Sequence, residues 1–159
     1  APSVLAVALL FPGKTDNYYL AMYLSGDVGS SPILAAFMDP ACGEKFRSER
    51  FKLLPCARKG SWLIRKMFAK TAIGTRPVLL ARKLRTSYGH EGGAMVITFD
   101  VGSNAAAASS CSFILSQLAA VVLDFGVVIQ CNTSAELPEE LVGAIRVANL
   151  SPAMAQWVE

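Results

Sequence analysis

Histidine occurs once in 159 residues, at His90, and no two of the four cysteines, Cys42, Cys56, Cys111 and Cys131, form a CxxC pair. A structural zinc site needs closer thiol or imidazole spacing than this, so no metal is expected. The chain also lacks a GxxxxGK[ST] or GxGxxG phosphate loop and a GxSxG nucleophile elbow, which leaves neither a nucleotide cradle nor an activated serine to argue for. His90 sits in Gly89-His90-Glu91-Gly92-Gly93, the composition of a surface turn rather than of a catalytic base. No catalytic residue, no cofactor and no enzymatic activity are expected. Charged residues are scarce at 17%, too few for a coiled coil, while 53% apolar content is too high for a disordered chain. No internal repeat or low-complexity tract is visible.

What is present suits one domain over residues 1–159, close to the usual domain length of about 100–150 residues. A chain of this size buries roughly 70% of its unfolded surface and needs no covalent staple. Two disulfides are compatible with the cysteine count, but free thiols packed as small hydrophobes are the simpler expectation. The apolar run Val4–Phe11 has no basic leader or cleavage pattern before it, so it is read as a strand and not as a signal peptide.

Charge is distributed unevenly. Residues 1–44 carry Lys14 against four acids, residues 45–85 carry 13 of the 15 basic residues against Glu49 alone, and residues 86–159 carry Arg146 against seven acids. The net charges are −3, +12 and −6. Such a central segment either faces the acidic segments and is neutralised within the fold, or forms an anion-attracting surface.

Hydrophobic periodicity supplies a coarse map. Val4–Phe11 and Tyr18–Leu24 flank a Pro/Gly/Asp/Asn loop and predict a hairpin. Ser30 or Ser31 with Pro32 opens a short helix to Met38. Residues 42–51 read as a polar helix or turn, Lys52–Arg58 as extended, and Ser61–Lys70 as a short helix ended by Gly74. Val78–Tyr88 and Ala94–Val101 predict a second hairpin. From Ala105 to Gln130 the only charge is Asp124, and the expectation is one apolar helix of about 40 Å. Ala105–Leu123 is near the length of a membrane span, but its five serine and glutamine residues and its opening alanines make it too weakly hydrophobic for that role. Leu141–Val147 closes the fold as a strand or short helix, and the tail from Ser151 is expected to be loosely held. The fold class is therefore α+β: an antiparallel sheet built from hairpins, packed against one long apolar helix, with a START-like helix-grip as the nearest analogue.

The residues then suggest a family. Phe46-Arg47-Ser48-Glu49-Arg50-Phe51-Lys52-Leu53-Leu54-Pro55 resembles an FRxxRFKLxP motif, Gly60-Ser61-Trp62 a GSW motif, and Asp100-Val101-Gly102-Ser103 a DIGSS motif. Gly74 with Pro77–Leu80 fits the next segment, and Asp124 sits where the following helix carries an acid. Glu136-Leu137-Pro138-Glu139 with Gly143 and Arg146 resembles a closing ELPExxxGxxR pattern. In this order and spacing they resemble the Enhanced Disease Resistance 2 C-terminal domain family of plant and protist proteins. Departures are the lengthened stretch between Trp62 and Gly74, which adds Lys66 and Lys70, and Gln130 in place of an acid. In the plant proteins this domain follows lipid-binding PH and START-type domains in membrane-associated regulators, and it has no known catalytic role of its own.

Two functional expectations follow. In the first, a non-enzymatic regulatory or scaffold domain associates with lipid or an anionic membrane surface, using Arg47, Arg50, Lys52, Arg58, Lys59, Arg65 and Lys66, since guanidinium forks match phosphate oxygens. Its competitor for Arg47 and Arg50 is structural: a clamp on Asp100 or Asp124, because an unpaired carboxylate in an apolar helix is costly. Asp100, Asp124 and Arg146 are accordingly assigned to a structural ion pair. In the second, the chain is an accessory subunit of a larger membrane-bound assembly, for example a chloroplast or photosynthetic one. A membrane-peripheral location is implied, on the cytosolic face by family analogy or at an organellar, thylakoid-type membrane. Nucleic acid is not expected as a partner, because no recognition helix or RNP-like motif accompanies the charge.

Overall fold

The computed structural model describes residues 4–70 and 77–158. In chain order its elements are β1 (Val4–Pro12), β2 (Asn17–Ser25), α1 (Pro32–Met38), α2 (Glu44–Ser48), β3 (Phe51–Lys59), α3 (Trp62–Lys70), β4 (Val78–Leu79), β5 (Arg85–Glu91), β6 (Ala94–Asp100), α4 (Ala105–Gln117), β7 (Val122–Ile129) and β8 (Leu141–Ala148), with single 3-10 turns between some of them.

Both predicted hairpins form. Val4 faces Ser25 and Pro12 faces Asn17 across β1 and β2. β5 and β6 are joined by Gly92-Gly93 at φ +55° and +81°. A two-residue turn needs this left-handed backbone to match the twist of the strands, and glycine adopts it without steric cost. The hairpins assemble side by side: β6 runs parallel to β1, with Val4 beside Ala94 and Leu10 beside Asp100, giving the order β2-β1-β6-β5. A second sheet has the order β4-β3-β7-β8.

Period-two alternation fixes which faces meet. Leu5, Val7 and Leu9 of β1 and Met95, Ile97 and Phe99 of β6 are buried in the same core as Phe51 and Leu53 of β3 and Leu123, Phe125 and Val127 of β7. The Phe51 and Phe99 rings, one from each sheet, lie 5.1 Å apart. α1 adds Phe37, whose ring stacks on Phe51 at 6.4 Å. It starts where the sequence predicts, with Pro32 in its first turn and the Ser31 hydroxyl accepting from the Leu34 amide.

The α+β class stands, but the single long helix does not. α4 stops at Gln117 after 13 residues, and a 3-10 turn at Leu118–Ala120 leads into strand β7. The physical reason is legible in hindsight. Val121, Val122, Val127, Val128 and Ile129 are β-branched, and Leu123, Phe125 and Val127 alternate with Asp124 and Gly126. β-branched side chains lose rotamer freedom in a helix and pack well on a pleated surface. A continuous apolar run cannot by itself separate the two states. The helix-grip arrangement falls with the helix: two sheets face each other, and α4 carries the chain from the end of β6 to the start of β7. Among the described residues no helix is long and apolar enough to cross a membrane.

Two smaller differences follow the same logic. The expected strand 78–88 is split by a 3-10 turn at Leu80–Arg82, which drops Leu80 into the core, as does Leu84 after it. Leu141–Ala148 is a strand, paired antiparallel to β7. Gly74, expected to end α3, lies outside the described residues.

Candidate functional site

The seven cations singled out by sequence divide into two groups along β3 and α3. Arg47 on α2 is 3% exposed and makes no ion pair with a carboxylate among the described residues. Its Nε donates to the carbonyl of Phe37 at 3.0 Å and its Nη2 to the carbonyl of Asp39 at 2.6 Å. These carbonyls belong to the C-terminal end of α1, where helical oxygens lack intrahelical donors and a positive charge is favoured. Arg50 lies over the Phe46 ring at 3.8 Å and donates to Glu136 Oε1 at 2.9 Å, while its buried Nε has no hydrogen-bond partner. The expected clamp of Arg47 or Arg50 on Asp100 or Asp124 is therefore not made. Those two arginines sit on and after α2, and their partners come from the end of α1 and from the loop before β8.

Lys52 and Arg58 are on β3. Lys52 Nζ reaches Glu139 Oε1 at 2.8 Å. Glu136 and Glu139 also accept from the backbone amides of Asn132 and Cys131, which folds the segment between β7 and β8 back against Arg50 and Lys52. Each cation holds its carboxylate below the ordinary range, Arg50 for Glu136 and Lys52 for Glu139. Arg58 Nε donates to Asp124 Oδ2 at 2.7 Å. Arg146 donates to both oxygens of the same carboxylate, at 2.7 and 2.9 Å. Because β7 is a strand, Asp124 points away from Leu123 and Phe125 onto the outer face. There the register sets it beside Arg146 on β8 and near Arg58 on β3. The hydrogen bonds from Arg146 and Arg58 hold its carboxyl well below the usual carboxylate value. Asp100 is separate from this cluster and lies 3.8 Å from Arg85.

The second group is different. Lys59, Arg65 and Lys66 are exposed, and no carboxylate pairs with them among the described residues. Lys66 Nζ lies 4.4 Å from the centre of the Trp62 ring. Trp62 is 71% exposed and Leu63 51% exposed. α3 is anchored from below by Ile64, which is buried. Gly60 permits that approach: a Cβ there would come within 3.1 Å of Ile64 and 3.5 Å of Val121. Inward Ile64 and outward Trp62, Leu63, Arg65 and Lys66 make α3 a short amphipathic helix with an aromatic and cationic outer face.

A cavity of about 200 Å³ opens between the sheets. Leu9 and Tyr18 contribute from the first sheet, Leu53 and Phe125 from the second, and Leu115 and Leu118 from α4 and the turn after it. Its walls come from segments far apart in the chain, and no local pattern marks them as neighbours. Sequence reading missed Glu136 and Glu139 as the partners of Arg50 and Lys52, although the acidic last segment was a signal that could have found them.

All four cysteines are free thiols, and burial pushes the thiols of Cys42, Cys111 and Cys131 above their ordinary value. His90 is exposed near the end of β5, opposite Met95. Among the described residues no three metal-ligating side chains gather.

The molecule defined so far is a two-sheet α+β domain with a paired cationic strand and an unpaired cationic helix. By sequence it belongs to the family described as Protein ENHANCED DISEASE RESISTANCE 2, C-terminal, whose family model matches residues 1–151. It is similar to "Protein ENHANCED DISEASE RESISTANCE 2-like" of Arabidopsis thaliana, at 28% identity over 139 residues. That match covers 87% of this chain and 18% of the relative, so the chain spans about a fifth of that protein's length. No solved structure matches the chain.

Proposed function

We propose that this domain is a non-enzymatic, lipid-associated module of regulatory or scaffold type that meets an anionic membrane surface with α3. The observation that carries this is the contrast on one segment: Lys59, Arg65 and Lys66 keep their charge unpaired beside exposed Trp62 and Leu63, whereas the cations before them are used within the fold. An indole prefers the interfacial zone of a bilayer. Each lysine or arginine near an anionic leaflet adds about 1 kcal/mol of attraction. Three such charges with an aromatic anchor give reversible binding to a surface and not insertion across it. A non-catalytic role is supported by the state of the carboxylates, since Asp124, Glu136 and Glu139 are held ionised by neighbouring cations rather than poised for proton transfer.

Vesicle flotation tests it. The chain should float with vesicles containing phosphatidylserine or a phosphoinositide and stay behind with pure phosphatidylcholine. Equal recovery on both would overturn the proposal. Membrane-peripheral location, at a cytosolic face or an organellar membrane, is part of the same proposal.

A second reading, an accessory subunit of a larger membrane-bound assembly such as a photosynthetic one, is favoured by one observation. Tyr19 and Tyr23 stand 61% and 69% exposed on the edge strand β2. Aromatic side chains are enriched where proteins meet. Pull-down from native membranes with Tyr19→Ser and Tyr23→Ser variants separates the two: loss of a partner with vesicle flotation intact favours the subunit.

A further inference from the structure

The cavity between the two sheets carries no charge. Its walls are aliphatic and aromatic, and among the described residues that line it only Tyr18, Tyr19 and Ser151 have a polar side chain, in each case a hydroxyl. An ion placed there would give up its water with no counter-charge to meet it, and that cost excludes charged guests. Water is poorly served too, since an ordered molecule needs two to four polar partners.

Size narrows the class further. An apolar cavity of about 150 Å³ stays dry and takes up a benzene-sized guest. A space of about 200 Å³ is therefore room for roughly eight to ten carbon atoms. It falls below the roughly 300 Å³ at which sites for drug-sized ligands begin, so a diacyl lipid, a sterol or a tetrapyrrole does not fit. Protein interiors keep few voids larger than a water molecule, because wall atoms that face a void lose their dispersion partners. Leu53, Leu123 and Phe125 line this space and are only 1–5% exposed. A guest of matching size restores the contacts that these side chains lack.

The lining has a deep part and a superficial part. The deep part is made by strand residues. The superficial part is the segment after β8, where Leu150, Pro152, Met154 and Ala155 contribute. Its local structure is one 3-10 turn at Pro152–Met154, capped by the Ser151 hydroxyl, which accepts from the Ala153 amide at 3.3 Å. Met154 is 69% exposed and Tyr19 61% exposed, so solvent reaches the mouth on this side. Entry there asks no strand to part from its neighbour.

We infer that the cavity is a binding site for a small uncharged apolar molecule, of about eight to ten carbon atoms and with at most one hydroxyl or carbonyl group. A wall hydroxyl meets one polar atom of such a guest. Three hydroxyls, one of them already engaged with the Ala153 amide, do not solvate an ion. The site is separate from α3, no residue of which lines it.

Nuclear magnetic resonance of the unmodified chain, carrying carbon-13 at its methionine methyls, tests both parts. The chain is titrated with 2-phenylethanol, phenylacetate and 2-phenylethylammonium, which share a carbon skeleton and differ in the charge of the head. The Met154 methyl resonance should move and saturate with 2-phenylethanol. That of Met38, which lines a different pocket with Ile33 and Leu141, should stay in place. Both ions should bind at least tenfold more weakly than the alcohol. A stationary Met154 resonance, or movement at Met38 instead, would overturn the site. Equal affinity for the alcohol and either ion would overturn its uncharged character. Leu115→Trp fills the space and should weaken 2-phenylethanol binding at least tenfold, and wild-type affinity in that variant would also overturn the site. Vesicle flotation reads α3 and not this cavity, so either proposal can fail alone.

Discussion

Residues 47–58 and residues 59–66 carry similar charge, but the fold treats them oppositely. In the first stretch every cation singled out has an oxygen: two α1 carbonyls for Arg47, Glu136 for Arg50, Glu139 for Lys52, Asp124 for Arg58. In the second, Lys59, Arg65 and Lys66 have none among the described residues, and an exposed tryptophan stands in their midst. Geometry makes the difference. Lys52 and Arg58 on the central strand β3 meet acids on β7 and on the segment leading to β8, whereas Lys59 is the strand's last residue and the cations of α3 lie beyond it. α3 leaves the sheet and presents one face to solvent. Net charge along a sequence measures neither arrangement; it only counts what must be placed.

The largest effect expected from breaking this comparison is at Arg47. Arg47→Ala removes two charge-assisted hydrogen bonds and strands the carbonyls of Phe37 and Asp39. A loss of about 3 kcal/mol in urea denaturation should follow, whereas charge removal on α3 should leave stability within about 0.5 kcal/mol. Conversely, neutralising Lys59, Arg65 and Lys66 together should weaken binding to anionic vesicles by about 3 kcal/mol, or roughly 150-fold. Arg47→Ala should leave that binding unaltered in the folded fraction. Glu136→Gln breaks the 2.9 Å pair with Arg50 and should lower the urea midpoint by less than Arg47→Ala does.

The smallest effect is a pH dependence. A carboxyl held below its ordinary value in the folded state stabilises the fold above the unfolded value of about 4 and loses that contribution as pH falls below it. Asp124, Glu136 and Glu139 all shift in this direction. Thermal melting should therefore drop as pH is lowered from about 5 through 4 and below. Asp124→Asn should flatten part of that slope, while the α3 variants should retain it whole.

Much of the fold was legible because its signals were local. Pro12-Gly13 with Asn17 marked one hairpin and Gly92-Gly93 the other, and Ser31-Pro32 marked the start of α1. The error at Ala105–Gln130 arose where local signals end. The alanines and serines of α4 and the valines of β7 form one uncharged apolar run, and only the long-range pairing of β7 with β3 and β8 separates them. The same pairing turned Asp124 from an acid inside a helix into one on an outer sheet face. The candidate site divides similarly. Trp62 and the lysines of α3 lie together in sequence and could be found there. Tyr18, Leu115 and Met154 meet only through tertiary packing, so composition alone could not assemble the cavity.

The parallel pairing of β1 with β6 has a consequence for how the chain is made. Leu5, Val7 and Leu9 become central only when Met95, Ile97 and Phe99 lie beside them. On the ribosome, at about 5–20 residues per second, the β1–β2 hairpin must wait several seconds with one edge and one apolar face uncovered. Biosynthesis of this domain should therefore depend on a holding chaperone over that interval, and arrested nascent chains ending before Ala94 should be sensitive to protease where those ending after the last strand are not.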